Sequence, residues 1–187
     1  MAEMLDKNRQ EVKKWLADDK DAINWDDFIE HYVYMDAKSY KTDPTGADDI
    51  EARKVLMRSK MKDVIACDVV FSNPIDPIEA TFDVVGSSLM VEAAAGSTYK
   101  QLLKNASNLV KPGGFFIQFV CGPNCSDWRC GSSFFTVIES QTLEDNIASL
   151  DEAGFDTLET SCIKLPPYPD GKFDGTEMYL MVCKKRK

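Results

Sequence analysis

The chain has 187 residues, of which 44% are hydrophobic and 28% are charged, and its formal net charge is -9. That length suits one domain with a hydrophobic core, and the composition is typical of a folded globular protein rather than a disordered one. The acidic balance argues against a nucleic-acid partner, because phosphate binding depends on clustered lysine and arginine. The basic run Lys184–Lys187 is interpreted as a solvated terminus rather than a nucleic-acid signal.

Membrane and secretory roles are also disfavoured by the sequence. No stretch reaches the roughly eighteen uninterrupted apolar residues that a membrane span requires. The first twenty residues are rich in charge, from Glu3 and Asp6 onward, and do not resemble a secretory signal. We therefore expect a cytoplasmic protein with no membrane partner.

The six cysteines raise the question of disulfides or zinc. Cys121, Cys125 and Cys130 cluster in one segment, but no CxxC pair is present and the only histidine, His31, lies far upstream. Structural zinc sites usually show tighter paired spacing. We interpret these cysteines as reduced thiols and predict no metal site.

Hydrophobic periodicity, helix caps and turn residues predict alternating helices and strands. In chain order the predicted elements are a helix over Asp6–Ala17, a strand over His31–Met35, a helix over Asp48–Lys62, strands over Val64–Val69 and Phe82–Leu89, a helix capped by Ser97, a strand over Phe115–Val120, a helix over Thr142–Ala153, and strands over Phe155–Ile163 and Met178–Cys183. Loops are predicted at Lys41–Ala47 and Leu165–Gly175. The turn Lys111-Pro112-Gly113-Gly114 is expected to end the helix that Ser97 begins, since proline cannot continue it.

This alternation predicts an α/β fold with a doubly wound, mostly parallel sheet and an antiparallel C-terminal strand pair. One incomplete domain is expected over residues 1–187. A complete sheet of this kind would carry a further strand, a glycine-rich turn and a helix before residue 1, so we expect the first strand-helix unit to be missing.

Ligands of open α/β sheets bind beyond the carboxyl ends of the strands. Glu3 would lie at that edge and could accept both ribose hydroxyls of a nucleoside, although an exposed residue near a chain start is the simpler interpretation. Asp68 could accept a hydrogen bond from the exocyclic amine of adenine and the Val69 amide could donate to a ring nitrogen. Asp68 could equally be a turn or cap residue.

Several spaced motifs point to one family. The run Leu109–Phe115 resembles the turn before the fifth strand of class I methyltransferases. The chain is similar to the nicotinamide, phenylethanolamine and indolethylamine N-methyltransferase family in this run together with four other segments. These segments are Asp6–Leu16, Cys67–Val69, Phe82–Ala93 and Met178–Lys184. The resemblance runs over almost the whole chain, in the family's order, and implies a Rossmann-like class I methyltransferase sheet.

The resemblance implies a site for S-adenosylmethionine. Glu3 falls where the family has its ribose-binding acid, and Asn8 falls on a cofactor-contacting asparagine. Asp68 and Val69 match the adenine-contacting pair, and Ser88 falls at a hydroxyl position lining the cofactor pocket. The family's glycine-rich first loop and its N-terminal tyrosine-bearing lid have no counterpart in this sequence.

The substrate side is less defined, since no acid follows the strand ending at Val120 until Asp127. Asp127, Trp128 and Thr136 are the candidate substrate contacts. Trp128 could stack on an aromatic amine or cation, or could equally anchor its loop as a hydrophobic plug. Methyl transfer to a neutral amine needs collinear positioning and exclusion of water more than acid-base help, so no catalytic residue is nominated.

The resulting expectation is an S-adenosylmethionine-dependent N-methyltransferase acting on a small amine or pyridine-type substrate. The alternative is a non-catalytic methyltransferase-like protein that has lost cofactor binding. Removing the first strand would leave unpaired backbone groups and apolar surface, so self-association through the exposed sheet region is also expected.

Overall fold

A computed structural model describes residues 1–3, 5–40, 47–130, 133–137, 139–165 and 175–187. The chain forms two compact units, Met1–Cys67 and Asp68–Lys187; the single domain over residues 1–187 stays a prediction. The predicted loops Lys41–Ala47 and Leu165–Gly175 lie outside the described residues, apart from Ala47, Leu165 and Gly175. No helix in the described ranges has the length and hydropathy needed to cross a bilayer.

The first unit combines a short parallel strand pair with three helices. Its elements are β1 (Ala2–Glu3), α1 (Asp6–Leu16), α2 (Asp26–Tyr40), α3 (Ala47–Lys60) and β2 (Ile65–Ala66). Glu3 pairs with Ala66, so the carboxyl ends of β1 and β2 lie at the same edge. The Arg58 guanidinium lies over the Trp15 ring at 4.8 Å and donates to the Trp15 carbonyl at 3.0 Å, which ties α3 to α1.

The predicted strand at His31–Met35 is wrong, because these residues lie inside α2. Ile29 and Ala37 are buried and Val33 is half-buried, at a spacing of four residues. Aromatic and β-branched residues favour strands only where they cover a pleated surface, and here their helical spacing decides the structure.

The second unit is built on a four-stranded sheet with the order β3-β4-β8-β7. Its elements are β3 (Phe82–Ser88), α4 (Tyr99–Ser107), β4 (Val110–Cys121), β5 (Asp127–Cys130), β6 (Ser133–Thr136), α5 (Leu143–Glu152), β7 (Phe155–Lys164) and β8 (Glu177–Lys185). β3 and β4 are parallel, whereas β8 is antiparallel to both β4 and β7. The α/β class and the antiparallel C-terminal pair are confirmed, and the sheet is mixed.

Both helices of this unit begin at threonine caps. The Thr98 hydroxyl accepts from the Gln101 amide at 3.3 Å, so Thr98 caps α4 in place of the predicted Ser97. Thr142 accepts from the Asp145 amide at 3.1 Å and caps α5. The predicted start and end of α5 are therefore close to the observed ones.

The Pro-Gly-Gly turn has a different role from the one predicted. α4 already ends at Ser107, and β4 includes the turn and continues to Cys121. Gly113 has a φ of +77°, and a Cβ on Gly114 would lie 2.8 Å from the Asp83 carbonyl oxygen. These two glycines therefore allow β4 to enter the sheet in close contact with β3.

Two further features differ from the sequence prediction, the length of one strand and the presence of a hairpin. The strand expected over Val64–Val69 is limited to the two residues of β2, because the chain turns at Asp68, whose amide donates to the Pro74 carbonyl. The antiparallel β5–β6 hairpin was not predicted. Its strands have only four residues each, too few for a clear alternating pattern.

A buried polar network joins the helices to the sheet. The Tyr99 hydroxyl donates to Asn146 Oδ1 at 2.5 Å and accepts from Gln118 Nε2 at 2.8 Å. Tyr99 is 1% exposed, and Gln118 and Asn146 are completely buried. Since unpaired buried polar groups are costly, this network requires α4, α5 and β4 to pack in one arrangement.

Replacing Tyr99 by phenylalanine therefore removes a hydroxyl that two buried amide side chains depend on. We expect Tyr99→Phe to lower the free energy of unfolding by about 1–3 kcal/mol, measured by urea denaturation. Tyr34→Phe removes a hydroxyl from a 52% exposed side chain and is the matched control, expected to stay within about 0.5 kcal/mol of the parent protein. Equal stabilities of the two variants would contradict the role given to this network.

Candidate functional site

The parallel pairing of β3 with β4 places the carboxyl ends of both strands at one edge of the second unit. Ser88 pairs with Phe119, and the next amide, Leu89, donates to the Phe119 carbonyl at 2.9 Å. Leu89 has a φ of +51°, a conformation that residues with a Cβ rarely adopt. Strained backbone of this kind is concentrated at binding sites and active sites, which supports this edge as the candidate site.

Asp68 and Val69 form a tight turn in the same unit. Asp68 is half-buried, and its Oδ1 accepts from the Val70 amide at 3.0 Å, so the turn interpretation of Asp68 is confirmed. The Val69 side chain is 3% exposed and its carbonyl accepts from Asn105 Nδ2 at 2.8 Å. Within the described residues the Val69 amide has no hydrogen-bond acceptor. An anchored backbone whose amide has no acceptor in the described structure suits recognition of a heterocycle.

Glu3 and Asn8 belong to the first unit. Glu3 is half-buried, with Oε1 accepting from the Leu5 amide at 3.0 Å and its carbonyl accepting from Arg9 at 2.9 Å. Asn8 is exposed on α1. Glu3 is thus the last residue of β1 and Asn8 lies within α1, while the position of both relative to Asp68 and Ser88 stays a prediction.

The end of β3 carries two serines with different surroundings. Ser88 is exposed. Ser87 is 6% exposed, and its hydroxyl has no hydrogen-bond partner among the described residues. Ser87 pairs with Gln118 across the strands, and the Gln118 Oε1 atom is also without a partner there.

The β5–β6 hairpin brings two of the three substrate candidates together. Asp127 and Thr136 are directly opposite each other in its register, with Asp127 half-buried and Thr136 exposed. The backbone of Trp128 pairs with Phe135, and the Trp128 side chain lies outside what the structure describes. A carboxylate and a hydroxyl facing each other could bind an amine or an amide.

Glu92 is a candidate that sequence analysis missed. Its side chain is 2% exposed, and Oε1 accepts from the Cys121 amide at the end of β4 at 3.1 Å. Oε2 has no hydrogen-bond partner among the described residues. Burial raises the pKa of this carboxyl to about 7. A carboxyl that titrates near neutral pH at a ligand-binding edge is a functional candidate.

The sequence did contain a signal for Glu92. It is the one charged residue in the otherwise apolar run from Leu89 to Ala95, directly after a strand. Buried glutamate is rare unless it is paired or functional. An acid inside an apolar run at the carboxyl end of a strand is therefore worth assigning as a site candidate.

The cysteines near this edge are not suited to nucleophilic chemistry. Cys121 and Cys125 are 2% and 3% exposed. Burial and the neighbouring Glu92 hold the pKa of the Cys121 thiol well above its usual range, which disfavours the reactive thiolate. Among the described residues, no three histidine, cysteine or acidic side chains form a group that could hold a metal ion.

Comparison with known proteins identifies the family. The model of the NNMT/PNMT/TEMT family matches residues 1–186. The chain belongs to this family. Indolethylamine N-methyltransferase from Oryctolagus cuniculus is 30% identical over 159 residues, and human nicotinamide N-methyltransferase is 31% identical over 115 residues.

These alignments cover only part of the relatives. They include 83% of this chain and 57% of the rabbit enzyme, and 60% of this chain and 40% of the human enzyme. The chain thus spans about half the length of the curated relatives that it matches. The family's fold is supported by a SAM-dependent methyltransferase from Methanosarcina mazei, which has a TM-score of 0.50 at 9% identity and covers 75% of this chain and 79% of its own.

The raised pKa of Glu92 predicts a pH-dependent stability. Below pH 4.5 the carboxyl is protonated in both the folded and the unfolded state, and from there to about pH 7 only the folded state holds the proton. Stability contributed by the neutral form is therefore lost as the pH rises through this window. A shift of this size corresponds to about 3 kcal/mol, as an order of magnitude.

Glu92→Gln removes this titration and keeps a side chain of the same size. We expect its stability relative to the parent protein to improve by about 3 kcal/mol between pH 4.5 and pH 8, measured by urea denaturation at both pH values. Glu79→Gln, at an exposed carboxylate, is the control and should show no such change. Parallel pH profiles for the parent protein and Glu92→Gln would show that Glu92 is ionised normally.

Proposed function

We propose that the chain is an S-adenosylmethionine-dependent N-methyltransferase that acts on a small amine or pyridine-type substrate. The observation that carries this proposal is the turn at Asp68 and Val69, where a carboxylate lies next to an amide that has no acceptor among the described residues, in a member of this family. The names of the relatives, indolethylamine and nicotinamide N-methyltransferase, support transfer to nitrogen. They also favour this function over the non-catalytic alternative.

The residues of the second unit fit the adenine part of the cofactor. One oxygen of Asp68 is used by the Val70 amide, while Oδ2 has no donor among the described residues and can accept from an exocyclic amine. The adjacent Val69 amide can donate to a ring nitrogen, since its backbone is fixed by Asn105. We assign Ser88 to the lining of the cofactor pocket.

The residues of the first unit are assigned to the ribose. Glu3 keeps Oε2 available in the described structure and can accept from a hydroxyl, while Oε1 holds the turn into α1. Asn8 is exposed and carries both a donor and an acceptor. Bound S-adenosylmethionine would supply a methyl group on a positively charged sulfur.

The substrate is assigned to the hairpin and to Glu92. Asp127 and Thr136 offer an acceptor and a hydroxyl on facing strands, and Trp128, next to Asp127 in the chain, is assigned to stack on the substrate. An amine that is protonated in water must lose its proton before its nitrogen can accept a methyl group. Glu92 can hold that proton on Oε2, because its carboxyl titrates near neutral pH.

Two other expectations stay predictions. Self-association through the sheet is supported by exposed apolar side chains on β3, β4 and β8, among them Val84, Ile117 and Leu180. A cytoplasmic location is consistent with the charged, acidic composition.

The function is tested by incubating the protein with S-adenosylmethionine and a panel of small primary amines and pyridines, with methylated products detected by mass spectrometry. Asp68→Asn should raise KM for S-adenosylmethionine about tenfold to a hundredfold and leave KM for the amine nearly unchanged, because it weakens a charge-assisted hydrogen bond to the cofactor alone. Asp127→Asn should raise KM for the amine and leave KM for S-adenosylmethionine nearly unchanged.

The matched control is Asp83→Asn, which changes an exposed carboxylate at the opposite end of β3, paired with Lys111. It should leave both KM values unchanged. Absence of any methylated product would contradict the proposed function. Equal effects of Asp68→Asn and Asp127→Asn on both substrates would contradict the separate binding roles.

A further inference from the structure

One face of the β7–β8 pair brings together a thiol, an amine and a carboxylate. Cys162 and Lys164 are two residues apart on β7, so their side chains lie on the same face of the sheet. Across the pair, Tyr179 of β8 is opposite Cys162, and Glu177 of β8 is opposite Lys164. These four residues are here called the β7–β8 cluster. Side chains opposite each other on one face of an antiparallel pair are close enough to interact.

The Glu177 carboxylate is the group that the other three side chains contact. Its Oε2 atom accepts hydrogen bonds from the Cys162 thiol at 3.3 Å and from the Lys164 ammonium group. Its Oε1 atom accepts from the Tyr179 hydroxyl at 2.7 Å, and Tyr179 is 3% exposed. A carboxylate that is held by a buried tyrosine therefore brings one sulfur and one nitrogen to the same oxygen atom.

The backbone of Glu177 is held at the carboxyl end of β4. The Gly122 amide donates to the Glu177 carbonyl at 2.8 Å. A Cβ on Gly122 would lie 2.6 Å from Glu177 Cγ, so the glutamate side chain passes directly over the glycine. The position of the carboxylate is therefore set by the sheet and by the absence of a side chain at residue 122.

The thiol and the amine of the cluster are accessible from solvent. Cys162 is exposed, and the Lys164 side chain is 79% exposed. Cys121 and Cys125, in contrast, are buried. Because cysteine oxidation depends on exposure as well as on thiolate character, a dissolved oxidant can reach Cys162.

We propose that Cys162 and Lys164 form an oxidation-sensitive modification site, at which molecular oxygen links the cysteine sulfur to the lysine nitrogen through a single oxygen atom. The reactants are the thiol, the neutral amine and one O₂ molecule. The S–H bond and one N–H bond break, one S–O and one N–O bond form, and the second oxygen atom leaves as water with the two hydrogens. Oxygen gains four electrons, two from sulfur and two from nitrogen.

The bridge changes the charge at the carboxyl end of β4. The Lys164 ammonium group loses its positive charge when its nitrogen is bonded to oxygen, and Glu177 Oε2 loses both of its donors. The Glu177 carboxylate, which lies over Gly122, is then no longer neutralised. Oxidation thus adds one net negative charge at this position.

The cluster keeps both reacting groups protonated before oxidation. The hydrogen bond to Glu177 raises the pKa of Lys164, and desolvation together with the same carboxylate raises the pKa of the Cys162 thiol. The protonated forms are the less reactive ones, so the bridge forms slowly. The experiment is therefore run for a long incubation at mildly alkaline pH.

Intact-protein mass spectrometry of the full chain tests the proposal, with no S-adenosylmethionine present so that methylation cannot contribute. After incubation in air-saturated buffer, the parent protein should gain one oxygen atom and lose two hydrogen atoms, whereas an anaerobic sample should not change. Dithiothreitol should reverse the change. Trypsin should no longer cleave after Lys164, because its amine is modified.

Variants assign the bridge to the two residues. Cys162→Ser and Lys164→Gln should each abolish this mass change. Lys184→Gln is the matched control, because Lys184 is an exposed lysine on β8 outside the cluster, and it should be oxidised like the parent protein.

Three results would overturn the proposal. The first is an unchanged mass in the aerated parent protein, and the second is the same mass change in Lys164→Gln. The third is oxidation of Cys162 only to a sulfenic acid or to a disulfide between two chains, which leaves the lysine amine unmodified. None of these outcomes bears on methyl transfer, which is measured separately.

Discussion

The parallel pairing of β3 with β4 is the constraint on which the candidate site depends. Because the two strands run in the same direction, the residues that follow them emerge at a single edge, and the Leu89–Phe119 hydrogen bond extends that pairing beyond Ser88. The Cys121 amide then holds the Glu92 carboxyl against the end of β4. An antiparallel pairing would separate these groups by the length of a strand.

This edge also contains features of the second unit that are unfavourable for its stability. Leu89 has a positive φ, Glu92 is a buried carboxyl, and Ser87, Gln118 and Glu92 each have a buried oxygen without a partner among the described residues. The Tyr99 hydroxyl and the Asn146 amide, which join Gln118 in one network, do have hydrogen-bond partners. Local strain and incomplete hydrogen bonding at one place, within an otherwise consistent unit, are typical of a binding site.

Much of the fold could be predicted from the sequence because its signals are local. Thr142 and Gly154 bracket α5 with cap chemistry, and the apolar runs within β4 and β8 are typical of strands. Helix α2 was mistaken for a strand because its aromatic residues have β propensity, and the burial of Ile29 and Ala37 that distinguishes the two is a tertiary property. The strands of the β5–β6 hairpin are too short to show an alternation of apolar and polar residues.

The candidate site was predictable only in part. Asp68 and Val69 stand out because they follow a strand and match a family motif, and the structure adds the Asx-type turn that fixes them. Glu92 could not be assigned from propensity, since its role depends on burial and on a contact with Cys121, 29 residues later in the chain. A charged residue in an apolar run indicates an unusual position in the sequence. Only the packed structure shows which groups its side chain contacts.

The carboxyl edge of the β3–β4 pair is the proposed binding site for the nucleoside. Amide chemical-shift mapping by nuclear magnetic resonance, with S-adenosylhomocysteine added to the protein, tests this most directly. We expect the largest shifts at Val69, Ser88 and Leu89, with little change at Asp83 and Gly113 at the opposite end of the same strands. Shifts confined to that opposite end, or no shifts at saturating ligand, would contradict it.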